Sequence, residues 1–135
     1  MKKNIIIYWV TTGLLSFMML FSAYNYFTNP QIMGAFKHLG FPDYFRIELG
    51  VAKIAGVLLL LIPQVPVKIK EWAYAGFGIT FISAAIAHFS SGDPVSVAIM
   101  PVIFFVVLIV SNIYLYKQNK AALVGLNKTS KAALA

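Results

Sequence analysis

Two ionisable side chains, Glu48 and Lys53, lie inside an apolar stretch of about 20 residues, the length of a membrane-spanning helix. A charge at that depth is costly, so such residues usually face the interior of a helix bundle and mark a functional site. A carboxylate can accept a proton, and an ammonium group can donate hydrogen bonds to a carbonyl or an anion. We therefore predict a ligand-binding or proton-exchanging site at this pair, with a purely structural polar network as the alternative.

Helical geometry predicts how this stretch packs. At 100° per residue, Ala52, Lys53 and Gly56 all fall within about 140° of Glu48, while bulky apolar side chains fill the opposite arc. A side of small and charged residues is typical of a helix that packs closely on its neighbours, so we expect both charges to share one interior. Because Glu48 and Lys53 are five positions apart, they are not direct neighbours, and each needs a partner on another helix, a water or a ligand.

Three more polar residues are predicted at the same level of the bundle. Asn25 ends the first apolar stretch, His88 ends the third, and Asp93 precedes the fourth. An imidazole can exchange protons near neutral pH, although an interfacial histidine more often only forms hydrogen bonds. Asp93, like Asp43 before the second stretch, is also explained as a helix N-cap. The candidate site is therefore Glu48, Lys53, His88, Asn25 and Asp93.

Composition identifies the class of protein. The chain has 135 residues, of which 60% are hydrophobic and 11% charged. So little polar surface is typical of a membrane protein. We predict an all-α, integral membrane four-helix bundle formed by residues 1–116, with no room for a second domain. The predicted spans are about residues 5–26, 44–62, 72–89 and 95–116.

The longest connection, between spans one and two, predicts a short amphipathic helix in the membrane interface. Asn29 and Pro30 are typical of a helix start, and Gly40 of a helix end. The apolar residues between them recur at helical spacing: Ile32, Met33, Phe36 and Leu39.

Lysine positions predict the orientation. Eight lysines fall on one side of the four predicted spans, whereas Lys37 and Arg46 fall on or near the other. The eight are Lys2, Lys3, Lys68, Lys70, Lys117, Lys120, Lys128 and Lys131. The positive-inside rule then places both termini in the cytoplasm, with residues 117–135 as a basic, loosely ordered tail. Because these lysines flank apolar spans instead of forming one basic face, a nucleic acid partner is not expected.

Several chemistries are excluded or unsupported. The chain has no cysteine, so a thiol mechanism, a disulfide and an iron–sulfur cluster are excluded, and a redox role would need a bound organic carrier. No hydrolase, kinase or metal-site motif is present. The spacing of His38 and His88 does not indicate haem ligation.

Several segments in order resemble the DoxX-like family of small four-helix membrane proteins. They are LGFPDY at residues 39–44, ELGVAKIAGVLLLLIP at residues 48–63, KEWAYAGFG at residues 70–78, Ala87-His88 and Gly92-Asp93. The resemblance covers about residues 26–112. It implies a four-helix bundle in the bacterial inner membrane, with Glu48 at the family's glutamate position and Lys53, His88 and Asp93 at matching motif positions.

Two functions remain open from these residues. The family name derives from a subunit of a thiosulfate–quinone oxidoreductase, which implies binding of a quinone or another lipid-soluble ligand in membrane redox metabolism. Related eukaryotic proteins act in cargo export or receptor assembly, which implies a non-catalytic accessory or scaffold protein of a larger membrane complex. Membrane lipid is the expected partner, and a homo-oligomer is compatible with either function. No residue is assigned as catalytic.

Overall fold

The computed structural model describes residues 2–135 and, within them, contains helices and short connections but no strand. Five helices follow one another in the chain. They are α1 (Lys2–Thr28), α2 (Pro30–His38), α3 (Asp43–Leu61), α4 (Val67–Ser90) and α5 (Val95–Leu134). The prediction of an all-α chain is confirmed.

Three of these helices, α1, α4 and α5, are long and apolar enough to cross a membrane. The sequence predicted four such helices. The difference is α3, which has 19 residues, so that its length is about 28 Å, close to the ~30 Å of a hydrocarbon layer. It carries Asp43, Arg46, Glu48 and Lys53 within that length, whereas the charged residues of α1, α4 and α5 lie outside an apolar stretch that is long enough to span a membrane.

The four long helices form a ring. Helix α1 packs on α3 and α5, and α4 packs on the same two helices, so α1 and α4 lie on one diagonal of the ring and α3 and α5 on the other. Each helix contributes apolar side chains to a common core. Its members include Tyr8, Leu15 and Met19 of α1, Val57 and Leu60 of α3, Tyr74, Phe77 and Phe81 of α4, and Leu108 and Leu115 of α5.

Helix α2 lies across one end of this ring, which we call the α2 end. The Asn29 side chain accepts a hydrogen bond from the Gln31 backbone at 2.9 Å, and Pro30 begins the helix, as the sequence predicts. Phe36 is buried against the Tyr26 ring of α1, with ring centroids 4.9 Å apart. This contact fixes the short helix on the end of α1.

Helix α5 extends well beyond the ring. Its 40 residues correspond to about 60 Å, twice the thickness of a hydrocarbon layer. The prediction that residues 117–135 are loosely ordered is therefore wrong, since the helix continues to Leu134. Alanine, leucine and lysine, which favour helices, recur in this segment, and it contains no proline.

Two glycines of α3 allow close contact with its neighbours. A Cβ atom at Gly50 would lie 2.7 Å from the Phe27 ring of α1, and one at Gly56 would lie 2.6 Å from the Phe77 ring of α4. Each phenyl ring thus occupies space that a larger residue would need, which is the usual role of small residues at contacts between membrane helices.

Candidate functional site

A single buried stripe runs along α3. Its members lie on one face of the helix, at spacings of three or four residues except for the adjacent pair Gly56 and Val57: Arg46, Gly50, Lys53, Gly56, Val57 and Leu60. Glu48 is two residues after Arg46, about 200° around the helix, and is exposed. The expectation that Glu48 and Lys53 share one interior is therefore wrong, because Lys53 belongs to the buried stripe whereas Glu48 is exposed.

Lys53 is 5% exposed and is held by hydroxyl groups of α1. Its Nζ donates to Ser22 Oγ and to Tyr26 Oη, both at 2.7 Å. The same nitrogen lies 3.9 Å from the centroid of the Tyr26 ring, a cation–π distance. An ammonium group has three N–H donors, so these two bonds leave one donor for another acceptor.

A groove between α3 and α4 opens beside Lys53. Its volume is about 430 Å³, within the size range of ligand pockets. The lining comprises Leu49, Ala52, Lys53, Ala55, Gly56 and Leu59 of α3, and Trp72, Ala73, Gly76, Phe77 and Thr80 of α4. The groove is thus an apolar surface with the Lys53 side chain in its wall, while the Nζ atom of that lysine is directed to Ser22 and Tyr26 of α1.

Glu48 lies beyond the edge of this groove. It is one helical turn before Ala52, which lines the groove, and both residues are exposed on the same side of α3. Within residues 2–135 its carboxylate forms neither a hydrogen bond nor an ion pair, so no other helix supplies its partner, and a water or a ligand stays a prediction.

Arg46 is a second buried cation that the sequence analysis did not select. It is 4% exposed, and its Nε and Nη2 lie 3.0 and 2.9 Å from Asp43 Oδ1. Its Nη1 donates to the Tyr26 carbonyl in the last turn of α1. Such a carbonyl has no partner within its own helix, so Arg46 caps α1 and joins it to the start of α3.

Neither aspartate caps a helix in the way that the sequence predicted. Pro42 and Pro94 occupy the N-cap positions of α3 and α5, and neither cap has a side-chain hydrogen bond. Asp43 instead lies in the first turn of α3 and binds Arg46. Asp93 precedes the cap of α5 and is free to bind other helices.

Asp93 joins two histidines at the α2 end. Its Oδ2 lies 2.6 Å from His88 Nδ1, and its Oδ1 lies 2.9 Å from His38 Nε2. Both ring nitrogens donate to the carboxylate, and these bonds, first that from His88 and then that from His38, lower the pKa of Asp93. The cluster fastens α2 to the turn between α4 and α5. In the described part of the chain, no group of three or more His, Asp or Glu residues is arranged to hold a metal ion.

The five predicted site residues do not form one cluster. The structure brings His88 and Asp93 together, but Lys53 instead meets Ser22 and Tyr26. Asn25 donates to its own helix at the Phe21 carbonyl, 2.9 Å away, and accepts from Asn29 at 3.3 Å. His88 is eight residues, about 12 Å along α4, beyond Thr80 at the end of the groove.

A network of hydroxyl groups in the half of the ring away from α2 was not predicted. Ser111 Oγ of α5 lies 2.7 Å from Thr12 Oγ1 of α1 and 2.6 Å from Tyr74 Oη of α4. All three side chains are buried. Tyr74 belongs to an aromatic stripe that gives no sign of a polar role, and nothing in the spacing of hydroxyl residues indicates which of them will meet across helices.

Comparison with known proteins gives one match. The model of the DoxX-like family matches residues 10–111, from the first half of α1 to the middle of α5. The matched region contains the Lys53 groove and all three residues of the His38, Asp93 and His88 cluster. No curated protein and no solved structure matches the chain.

Proposed function

The chain belongs to the DoxX-like family, and from this premise we propose that it is a multi-pass protein of the bacterial inner membrane that binds a lipid-soluble ligand beside Lys53. The ligand class that we propose is a quinone or another apolar molecule with a carbonyl or anionic oxygen. The observation that carries the proposal is Lys53, a buried side chain that lines an apolar groove and whose ammonium form has one N–H donor beyond its bonds to Ser22 and Tyr26.

The membrane placement rests on four helices, with α3 as the fourth span. Arg46 and Lys53 are buried among neighbouring helices, so of the α3 charges between residues 44 and 61 only Glu48 is exposed, in the second turn. The lysine distribution orients the protein with both termini in the cytoplasm and the α2 end outside. A helix of this length then crosses the hydrocarbon layer with its buried cations shielded from lipid.

The chemistry of the groove favours a flat, apolar ligand. Leu49, Leu59 and Phe77 supply apolar walls, and small residues on both helices leave the space open. A carbonyl oxygen of a quinone would accept the third hydrogen bond of Lys53, while its tail would follow the open side of the groove into the lipid. Glu48, one turn from Ala52, would meet polar atoms at the mouth, and His88 would act indirectly by holding α2 in place.

Quinone content tests the proposal directly. The protein purified in mild detergent should retain quinone, measured by mass spectrometry of the extract, and the delipidated protein should bind added ubiquinone or menaquinone. We expect Lys53→Met to weaken this binding at least about tenfold, because it removes a charged donor. The matched control is Lys120→Met, which makes the same change at an exposed position of α5 and should bind normally.

A second pair of variants tests the position without removing the charge. Ala55 lines the groove, and Ala55→Leu should fill it and reduce quinone binding while Lys53 remains. Ala75 is exposed in a different cavity, between α4 and α5, so Ala75→Leu should bind as the wild type does. Absence of quinone from the wild-type protein, with no uptake when it is offered, would overturn the proposal.

A further inference from the structure

A second cleft lies at the end of the ring opposite α2. It is formed by the first turns of α1 and α4, the connection between α3 and α4, and the middle of α5, and has a volume of about 480 Å³. Its lining differs from that of the Lys53 groove because it combines a buried ammonium group with several amides. The polar members are Lys70, Gln64, Gln118, Asn119 and Tyr8, whose buried hydroxyl has no hydrogen-bond partner among the described residues.

Lys70 is the central group of this cleft. It is 4% exposed, and its Nζ donates to the Leu60 carbonyl in the last turn of α3 at 2.9 Å. That bond caps α3 and leaves two of the three N–H donors unassigned. Among residues 2–135 no carboxylate lies within ion-pair distance of Lys70, and the adjacent Glu71 lines the separate cavity between α4 and α5.

Other donors face the same space. Pro66 is the N-cap of α4 and has no side-chain cap hydrogen bond, and both Pro66 and Val67 line the cleft, so the positive end of the helix dipole lies beside it. The side-chain amides of Gln118 and Asn119 supply further N–H groups from α5. A buried cation, a helix start and two amides together make a site for a negatively charged oxygen group.

We infer that this cleft binds a phosphate group, with Lys70 donating to its oxygens. Phosphate offers several acceptors, which matches the number of unassigned donors. The wall next to the polar members contains Ile5, Trp9 and Leu115, and the first two are partly open to the surroundings. An acyl chain attached to the phosphate would lie against this wall, so a phospholipid headgroup and a free phosphate share the same polar site.

The experiment uses the full-length, delipidated protein in detergent. Its melting temperature and its bound mass in native mass spectrometry are followed during titration with phosphatidylglycerol, diacylglycerol or inorganic phosphate. Diacylglycerol has the same chains without the phosphate. Binding of phosphatidylglycerol but not diacylglycerol or inorganic phosphate identifies a lipid headgroup as the source. Stabilisation by inorganic phosphate at millimolar concentration identifies a free phosphate, and no response to either phosphate compound overturns the inference.

A matched pair of lysine variants locates the site. We expect Lys70→Met to weaken phosphate or phosphatidylglycerol binding at least tenfold, whereas Lys68→Met, which removes an exposed lysine in the same turn of α4, should change it less than threefold. Equal losses in both variants would indicate attraction to net charge and contradict the inference. If Lys70→Met does not fold, the double variant Gln118→Ala and Asn119→Ala keeps the lysine and should still weaken binding about fivefold. Unchanged binding in this double variant would contradict the placement of the phosphate in this cleft.

Discussion

The buried cations at the two ends of the molecule have different bonding partners. At the α2 end, Arg46 binds the Asp43 carboxylate, and Asp93 accepts from His38 and His88. At the opposite end, Lys70 meets only a backbone carbonyl among the described residues. The chain has only four acidic residues against eleven lysines and arginines, and two of the four, Asp43 and Asp93, form these bonds. One end is thus neutralised within the chain, while the other retains donors for an anion from outside.

This comparison predicts that the largest loss of stability follows from removing Arg46. Arg46→Met would leave the Tyr26 carbonyl and the Asp43 carboxylate without their donor, and we expect a loss of about 3 kcal/mol in the free energy of unfolding. Asp43 has a side chain that is 60% exposed, and Asp43→Asn keeps an oxygen that can accept from the arginine, so we expect about 1 kcal/mol or less. Denaturant titration in detergent measures both.

Equal losses of unfolding free energy in Arg46→Met and Asp43→Asn would contradict this prediction. They would mean that the ion pair, and not the cap on α1, stabilises the α2 end. The contact between Arg46 and the Tyr26 carbonyl would then contribute little.

The hydroxyl network in the other half of the ring predicts an intermediate effect. Ser111→Ala removes the atom shared by Thr12 and Tyr74, so both hydroxyl groups lose a buried partner. We expect a loss of about 1–2 kcal/mol that does not change between mildly acidic and neutral pH, because no charged group takes part. Ser83→Ala, at an exposed position of α4, is the control and should change stability by less than about 0.5 kcal/mol.

The helices were predictable from sequence because long apolar stretches have few alternatives. The prediction failed at residues 117–134. The polar composition of this segment was interpreted as a loose tail, although it contains good helix formers and is helical in the structure. The short helix α2 was predictable for a different reason. Asn29, Pro30 and Gly40 are strong local signals for its ends, and local signals do not depend on the rest of the fold.

The site was less predictable because it depends on pairing between distant residues. The rule that deep charges face inward was applied equally to Glu48 and Lys53, yet their separation of about 140° around the helix allows only one of them to join the buried stripe. The partners of Lys53, Ser22 and Tyr26, are on another helix and have no periodic signal. Likewise, the path of α2 brings His38 to Asp93, 55 positions later in the chain.

The smallest expected effect, and the one that depends on pH, concerns Asp93. Hydrogen bonds from the histidines lower its pKa below the ordinary 3.8, so the stabilising contribution of the carboxylate is fully present above pH 3.8 and is lost as the pH falls through the lowered pKa. Asp93→Asn removes this contribution. The melting temperatures of the wild type and the variant should therefore differ near neutral pH, and this difference should shrink as the pH falls below 3.8.

The control for this prediction is Glu71→Gln, which removes an exposed carboxylate away from the α2 end and should not reproduce the convergence. Hydrogen exchange in α2 provides a local measurement, because His38 fastens that helix to Asp93. Exchange in α2 should increase in Asp93→Asn and remain unchanged around Lys70. Increased exchange at both ends would contradict the view that the charged groups at the two ends act independently. It would mean that the cluster of His38, Asp93 and His88 stabilises the whole ring.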